Sequence, residues 1–97
     1  MDDRMDAEPD AAQMRNAIRL CRCLSDPIAL KVCLLLRQKP RGINELQSEL
    51  GMSRAQVNER LRKLRECLVI DIERDGRWLT FFLMQTALPI IDKLMGG

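Results

Sequence analysis

The stretch INELQSELGMSRAQVNERLRKL, residues 43–64, constrains the fold more than any other part of the chain. Asn44 and Ser53 each stand three residues before a glutamine, the spacing of a capping box, so each is predicted to cap a helix. Gly51 suits the left-handed conformation that ends the first of the two helices. Two short helices joined by so tight a turn are typical of a helix-turn-helix.

Two helices are predicted before this pair. Apolar residues recur at helical spacing between residues 11 and 24, which indicates an amphipathic helix. Pro27 suits the first position of a second helix, over residues 27–38, with Ser25 or Asp26 as its cap. Most sides of this second helix are apolar, so we expect it at the centre of the core.

After Leu68 the spacing of apolar residues changes from helical to alternating. The alternation predicts strands over residues 69–74 and 77–83, joined at the hairpin signal Asp75-Gly76. A last helix is predicted over about 85–95. The predicted fold is mainly α with a β-hairpin wing, a winged helix-turn-helix in the order α-α-α-α-β-β-α. We expect residues 1–10 to form a disordered acidic tail and residues 11–97 to form this one domain.

Charge and composition narrow the function. Residues 1–10 hold five acids and one base, which leaves 15 bases and 9 acids for residues 11–97, so the domain is basic and suits an anionic partner. Histidine is absent, and no run of 18 apolar residues occurs. We therefore expect a cytoplasmic protein, outside the membrane, with reduced cysteines, no metal, no cofactor and no enzymatic activity.

The fourth predicted helix carries the chemistry of the chain. Residues 54–65 hold five bases and one acid, of the types that read DNA base edges in the major groove. Once the leucines and Val57 face the core, the residues predicted to face outward are Arg54, Ala55, Asn58, Glu59 and Arg62. Those predicted to lie beside that face are Arg60, Lys63 and Arg65. Arg74 and Arg77, at the hairpin tip, are predicted to contact the DNA backbone or the minor groove.

Residues 24–83 resemble the ArsR/SmtB family of winged-helix repressors. LSDPIALKVCLLL is similar to the second helix of that family, INELQSELGMSRAQVNERLRKLRECLVI to its helix-turn-helix, and ERDGRWLTFFL to its wing. The resemblance implies repression at a palindromic DNA operator, released by an effector that the sequence does not identify. It also implies that the DNA-reading positions include Gln56, besides Arg54, Ala55, Asn58, Glu59 and Arg60.

The resemblance further implies a homodimer joined through the first and last helices. The apolar residues that agree with such an interface are Met14, Ala17, Ile18, Cys21, Leu88, Ile91, Leu94 and Met95. The usual metal sites of the family are missing, because Gln47 and Ser48 follow Glu45-Leu46 in place of a Cys-x-Cys, and because no histidine is present.

The cysteines leave three readings open. Cys21 and Cys33 suit apolar packing, and Cys67 replaces a small residue at the end of the fourth helix. Alternatively, Cys33 forms a thiol switch with Cys21 or Cys23, since some family members sense oxidants through a second-helix cysteine. A third reading is a relocated thiophilic metal site, although Cys21 and Cys23 lie about 200° apart on an intact helix.

One rival of another class is a winged-helix protein–protein interaction module. Such a module keeps this core and lacks a basic recognition face. The five bases of residues 54–65 favour DNA.

Overall fold

The computed structural model describes residues 10–96, with the exception of the side chain of Asn16. Its elements follow the predicted order: α1 Ala11–Leu24, α2 Pro27–Gln38, α3 Ile43–Leu50, α4 Arg54–Glu66, β1 Ile70–Asp75, β2 Trp78–Leu83 and α5 Leu88–Leu94. None of the helices in this range is long and apolar enough to cross a membrane. The predicted tail lies outside the described residues, except for Asp10, whose side chain caps α1.

Most of the predicted helix boundaries are confirmed by their caps. The Asp26 side chain accepts from the Ile28 N–H at 3.1 Å, and Pro27 begins α2. Ser53 and Gln56 form the predicted capping box of α4. Gly51 ends α3 with a φ of 63°.

The predicted cap at Asn44 is wrong. Helix α3 begins at Ile43, after Gly42, and no side chain caps it. The reason is a long-range contact: the backbone of Arg41 pairs with Phe81 of β2 through bonds of 3.0 and 2.8 Å. This pairing fixes the chain just before Gly42, so the helix starts at Ile43, two residues earlier than a cap at Asn44 would place it.

The core lies around α2, as its apolar sides predict. Val32 and Cys33 are fully buried there. The side chains that enclose them come from every later element and include Leu46, Val57, Leu61, Leu64, Ile70, Phe81 and Ile91. Helix α4 is thereby held with one face inside the protein, and its other face is left for solvent.

The two strands form an antiparallel hairpin with Ile70 opposite Leu83 and Asp75 opposite Trp78. The turn is therefore Gly76-Arg77, one residue later than predicted from Asp75-Gly76. Gly76 adopts a φ of 62° at the first central position, where two-residue hairpin turns favour glycine. The tip consequently presents Arg77 in the turn itself.

Candidate DNA-binding surface

The first turn and a half of α4 presents a polar face to solvent. Arg54, Ala55, Gln56 and Asn58 are exposed, whereas Val57 is buried. The Ser53 capping box fixes where the helix starts and so fixes the direction of these side chains. Neither Arg54 nor Asn58 is hydrogen-bonded or ion-paired through its side chain to another of the described residues.

The second half of α4 carries a chain of ion pairs on its own surface. Arg62 lies 2.8 Å from Glu59 and 2.6 Å from Glu66, and Lys63 lies 3.7 Å from Glu59. The hydrogen bond from Arg62 lowers the pKa of Glu59, and that same bond raises the pKa of Arg62. The charges of this half are thus largely compensated within the protein.

Arg60 faces α2 instead of the open face of α4. Its Nε atom lies 2.6 Å from the Asp26 carboxylate and forms an ion pair with it. The Nε–H is not directed at the carboxylate oxygen, so the contact is not a hydrogen bond. Asp26 therefore serves two partners, the Ile28 N–H and the Arg60 guanidinium. Arg60, predicted as a DNA-reading residue, is engaged within the fold.

The wing supplies two further cations. Arg74 in β1 and Arg77 in the turn are exposed, and neither contacts a carboxylate of the described residues within 4 Å. Together with Arg54, these are cations that α4 and the wing leave available to an external anion.

The structure brings together a cysteine pair that the sequence does not predict. Cys23, in the last turn of α1, forms a disulfide with Cys67, the C-cap residue of α4. The expectation that all four cysteines are reduced is therefore wrong for this pair. The bond joins residues 44 apart in the chain, which no local sequence pattern connects.

The other two cysteines do not join this pair. Cys21 is a free thiol that is exposed in the single chain, and Cys33 is a free thiol buried in the core, where burial raises its pKa to about 12. The predicted partnership of Cys33 with Cys21 or Cys23 is not what the structure forms. Among residues 10–96, no three His, Cys, Asp or Glu side chains come together in a group that could hold a metal ion.

The residues predicted for the dimer interface divide into two groups. Those exposed in the single chain are Met14, Ala17, Ile18, Cys21, Leu88, Leu94 and Met95. Ile91 is fully buried in the core of its own chain, so its prediction as an interface residue is wrong. Helix α5 turns Ile90 outward instead, at 40% exposure. The error arises because helical spacing identifies an apolar residue without showing its partner, and α5 packs on α2 through Ile91.

Comparison with known proteins agrees with this geometry. Residues 26–70 match the model of the family described as bacterial regulatory protein, arsR family. The match includes α2, α3 and α4, which form the helix-turn-helix and its support.

Residues 26–70 are thus similar to the arsR family of bacterial regulatory proteins.

A relative of known sequence is an uncharacterized HTH-type transcriptional regulator from Methanocaldococcus jannaschii. It is 34% identical over 56 residues, which make up 58% of this chain and 59% of the relative. The chain thus matches little more than half the length of that curated relative.

Solved structures share the winged helix-turn-helix fold along nearly the whole chain. A homodimeric winged helix-turn-helix DNA-binding domain from Mycobacterium bovis, a possible ArsR-family transcriptional regulator, is similar with a TM-score of 0.84 and 18% identity, covering 91% of this chain and 84% of that chain. The transcriptional repressor BigR from Xylella fastidiosa gives a TM-score of 0.79 and 21% identity, covering 96% and 90%. At these identities, the likeness shows the fold.

Proposed function

We propose that this protein is a homodimeric transcriptional repressor of the ArsR family that binds a palindromic DNA operator in the cytoplasm. Helix α4 enters the major groove, and the 74–77 wing contacts the backbone or minor groove. The observation that carries this proposal is the free start of α4: Arg54 and Asn58 are exposed and unpaired among residues 10–96, on a helix whose other face is fixed in the core. Arginine and asparagine are the side chains that pair with guanine and adenine edges.

The distribution of ion pairs refines the sequence prediction. The second half of α4 compensates its charges internally, and Arg60 is held by Asp26. The start of the helix is therefore the base-reading part, in keeping with a recognition helix that contacts bases through its N-terminal residues. Arg62 and Lys63 are left to contact phosphates, after exchanging their partners within the protein.

The dimer is supported by apolar side chains that the single chain leaves in water. On α1 these are Met14 and Ile18, and on α5 they are Leu88, Ile90, Leu94 and Met95, each 37% exposed or more. Exposed apolar residues concentrated on two helices mark an interaction surface. A symmetric dimer would bury them and place two copies of α4 on two half-sites of a palindrome.

The test is a selection of duplexes from a random pool, followed by binding titrations with a labelled duplex from the selected set. The Arg54→Ala variant removes a cation from the proposed base-reading surface. Arg37→Ala is the matched control, because Arg37 pairs with Asp92 of α5 at 2.6 Å, away from α4. We expect Arg54→Ala to weaken binding about 5- to 150-fold and Arg37→Ala to leave it nearly unchanged.

If no duplex binds, the result would favour the rival, a winged-helix protein–protein module.

A separate measurement addresses the dimer. Ile18→Glu places a charge among the exposed apolar residues of α1, and sedimentation should show a monomer in place of a dimer. A wild-type chain that sediments as a monomer at high concentration would contradict the homodimer.

A second candidate function is thiol control of DNA binding, and the Cys23–Cys67 pair favours it. The disulfide joins α1, the proposed dimer helix, to the end of α4, the proposed recognition helix. Each sulfur also lies 3.7 Å from a backbone carbonyl, of Lys63 and Arg19 respectively, which accepts from the S–H in the reduced state. Both oxidation states therefore have a place in the fold.

The surroundings of the pair suit thiol–disulfide exchange. An open cleft of about 690 Å³ is lined by both cysteines together with Arg19, Arg22, Lys63 and Glu66, so a small molecule can reach the pair. The thiolate is the attacking species in such an exchange. With a small-molecule disulfide as oxidant, one protein thiolate attacks a sulfur and releases one small thiol, and the second protein thiolate attacks the mixed disulfide and releases the other.

The test compares binding of the selected duplex by the oxidised and the reduced protein. We expect the two affinities to differ for the wild type and to be equal for Cys23→Ser and Cys67→Ser, whereas Cys21→Ser should behave as the wild type. Parallel titrations with cadmium and arsenite examine the metal reading of the cysteines. Equal affinity of the oxidised and reduced wild type would refute thiol control and leave the DNA-binding proposal intact.

A further inference from the structure

A groove separates the helix-turn-helix from the wing. It has a volume of about 560 Å³ and lies between the start of α3, the start of α4 and strand β2. Arg54 and Asn58 line it from α4, and Arg77, Trp78 and Thr80 line it from the wing. The groove therefore lies between the two elements proposed to contact DNA.

The charge of the groove favours an anionic occupant. Arg54 and Arg77 stand on its two sides, and neither pairs with a carboxylate within the part of the chain that the structure describes. Glu45 is the one acidic residue of the lining, and its carboxylate lies 3.7 Å from Lys39 and 3.9 Å from Arg41. Lys39 and Arg41 thus compensate the charge of Glu45, and Arg54 and Arg77 are available to bind an external anion.

Trp78 is the unexplained residue of this groove. At 72% exposure it is the most exposed large hydrophobic side chain of the described residues, whereas Phe81, on the opposite face of the same strand, is 6% exposed. An indole combines a large apolar face with an N–H donor, and such side chains are usually covered at interfaces.

We propose that Trp78 contacts DNA. Its indole packs against the deoxyribose units of the strand held in this groove. Arg54 and Arg77 bind the phosphates on either side of the contact. The wing then contributes an apolar contact to the minor-groove edge as well as charge, a type of contact that apolar wedge residues make in other minor-groove binders. This inference rests on the proposed DNA-binding function and adds a residue to it.

The composition of the chain makes the test direct. Trp78 is the only tryptophan, and tyrosine is absent, so the intrinsic fluorescence of the protein reports on this one side chain. We expect the emission of Trp78 to change on titration with the selected duplex and to become protected from acrylamide quenching. Trp78→Ala should weaken duplex binding about 2- to 10-fold, with Trp78→Phe between it and the wild type.

A control variant moves the indole out of the groove. Trp78→Phe combined with Gln85→Trp places the only tryptophan at an exposed position after β2, at the opposite end of the hairpin from the tip. Its emission should not respond to the duplex. Circular dichroism melting of Trp78→Ala should match the wild type, because the side chain is largely outside the core.

Binding of the labelled duplex, followed by anisotropy in the same samples, separates the two hypotheses. If the duplex binds but the Trp78 emission and quenching stay constant, and Trp78→Ala binds as tightly as the wild type, the proposal for Trp78 is overturned and the DNA-binding function stands. If no duplex changes the anisotropy, the DNA-binding function itself fails.

Discussion

The guanidinium of Arg60 lies 2.6 Å from the carboxylate of Asp26, so a residue in the middle of α4 is tied to the residue that caps α2. Both side chains are about 30% exposed, at 29% and 32%. The pair therefore links α4 to α2, and it directs Arg60 away from the exposed start of α4.

Arg60→Ala should accordingly affect stability more than it affects base recognition. We expect the free energy of unfolding to fall by about 0.5–1 kcal/mol, as for a partly exposed ion pair, in urea titrations followed by circular dichroism. The loss in affinity for the selected duplex should be smaller than for Arg54→Ala. An Arg60→Ala variant that is as stable as the wild type but binds DNA worse than Arg54→Ala would contradict this assignment.

Reduction of the Cys23–Cys67 disulfide should destabilise the fold. The bond closes a loop between residues 44 apart, and cross-links of this span stabilise by restricting the unfolded chain, by about 2–4 kcal/mol. Urea unfolding with and without reductant measures the difference. Cys23→Ser serves as the control, because reductant should not change its unfolding midpoint. Identical wild-type midpoints in both conditions would show that no such bond forms in solution.

The two free thiols should react at very different rates. Burial raises the pKa of Cys33 to about 12, so roughly one molecule in 10,000 carries the Cys33 thiolate at pH 8. The thiolate fraction rises tenfold with each pH unit below that pKa, while burial restricts access. Iodoacetamide should therefore modify the exposed Cys21 in the folded, unreduced protein and modify Cys33 only after denaturation, as counted by mass spectrometry. Equal labelling of both sites in the folded state would refute the burial of Cys33.

Leu68 holds a backbone conformation that suits another residue. Its φ is 62°, and its side chain is 69% exposed, so little packing offsets the strain of a left-handed leucine. Asparagine tolerates this conformation, and Leu68→Asn should raise the free energy of unfolding by about 0.5–1 kcal/mol. Leu68→Ile, with a β-branched side chain, should lower it by about 1 kcal/mol. The reverse order of these two variants in urea titrations would show that the turn is not left-handed at this position.

Much of the fold could be predicted because its signals are local. The Ser53 capping box, the left-handed Gly51 and the Asp26-Pro27 junction each act within a few residues, and each is found where the sequence placed it. The turn of the hairpin was displaced by one residue, since an Asp-Gly pair locates a turn without fixing which two residues occupy it.

The features that the sequence did not reveal depend on tertiary contacts. The Arg41–Phe81 pairing and the Cys23–Cys67 bond join residues far apart in the chain. Helical spacing placed Ile91 on an apolar face, but only the packing against α2 decides that this residue, and not Ile90, belongs to the core. Likewise, the position of Arg60 depends on where α2 lies, which no pattern within α4 contains.

The central claim is that the start of α4 and the wing bind duplex DNA, and the salt dependence of binding tests it most directly. Anisotropy titrations of the selected duplex over a series of salt concentrations give a binding constant at each one. The logarithm of this constant should fall linearly with the logarithm of the salt concentration, with a slope of about −0.9 for each phosphate neutralised. Arg77→Ala, which removes a wing cation free of partners in residues 10–96, should reduce the slope by about 1. A duplex affinity that is undetectable at low salt, or that does not change with salt, would contradict the account.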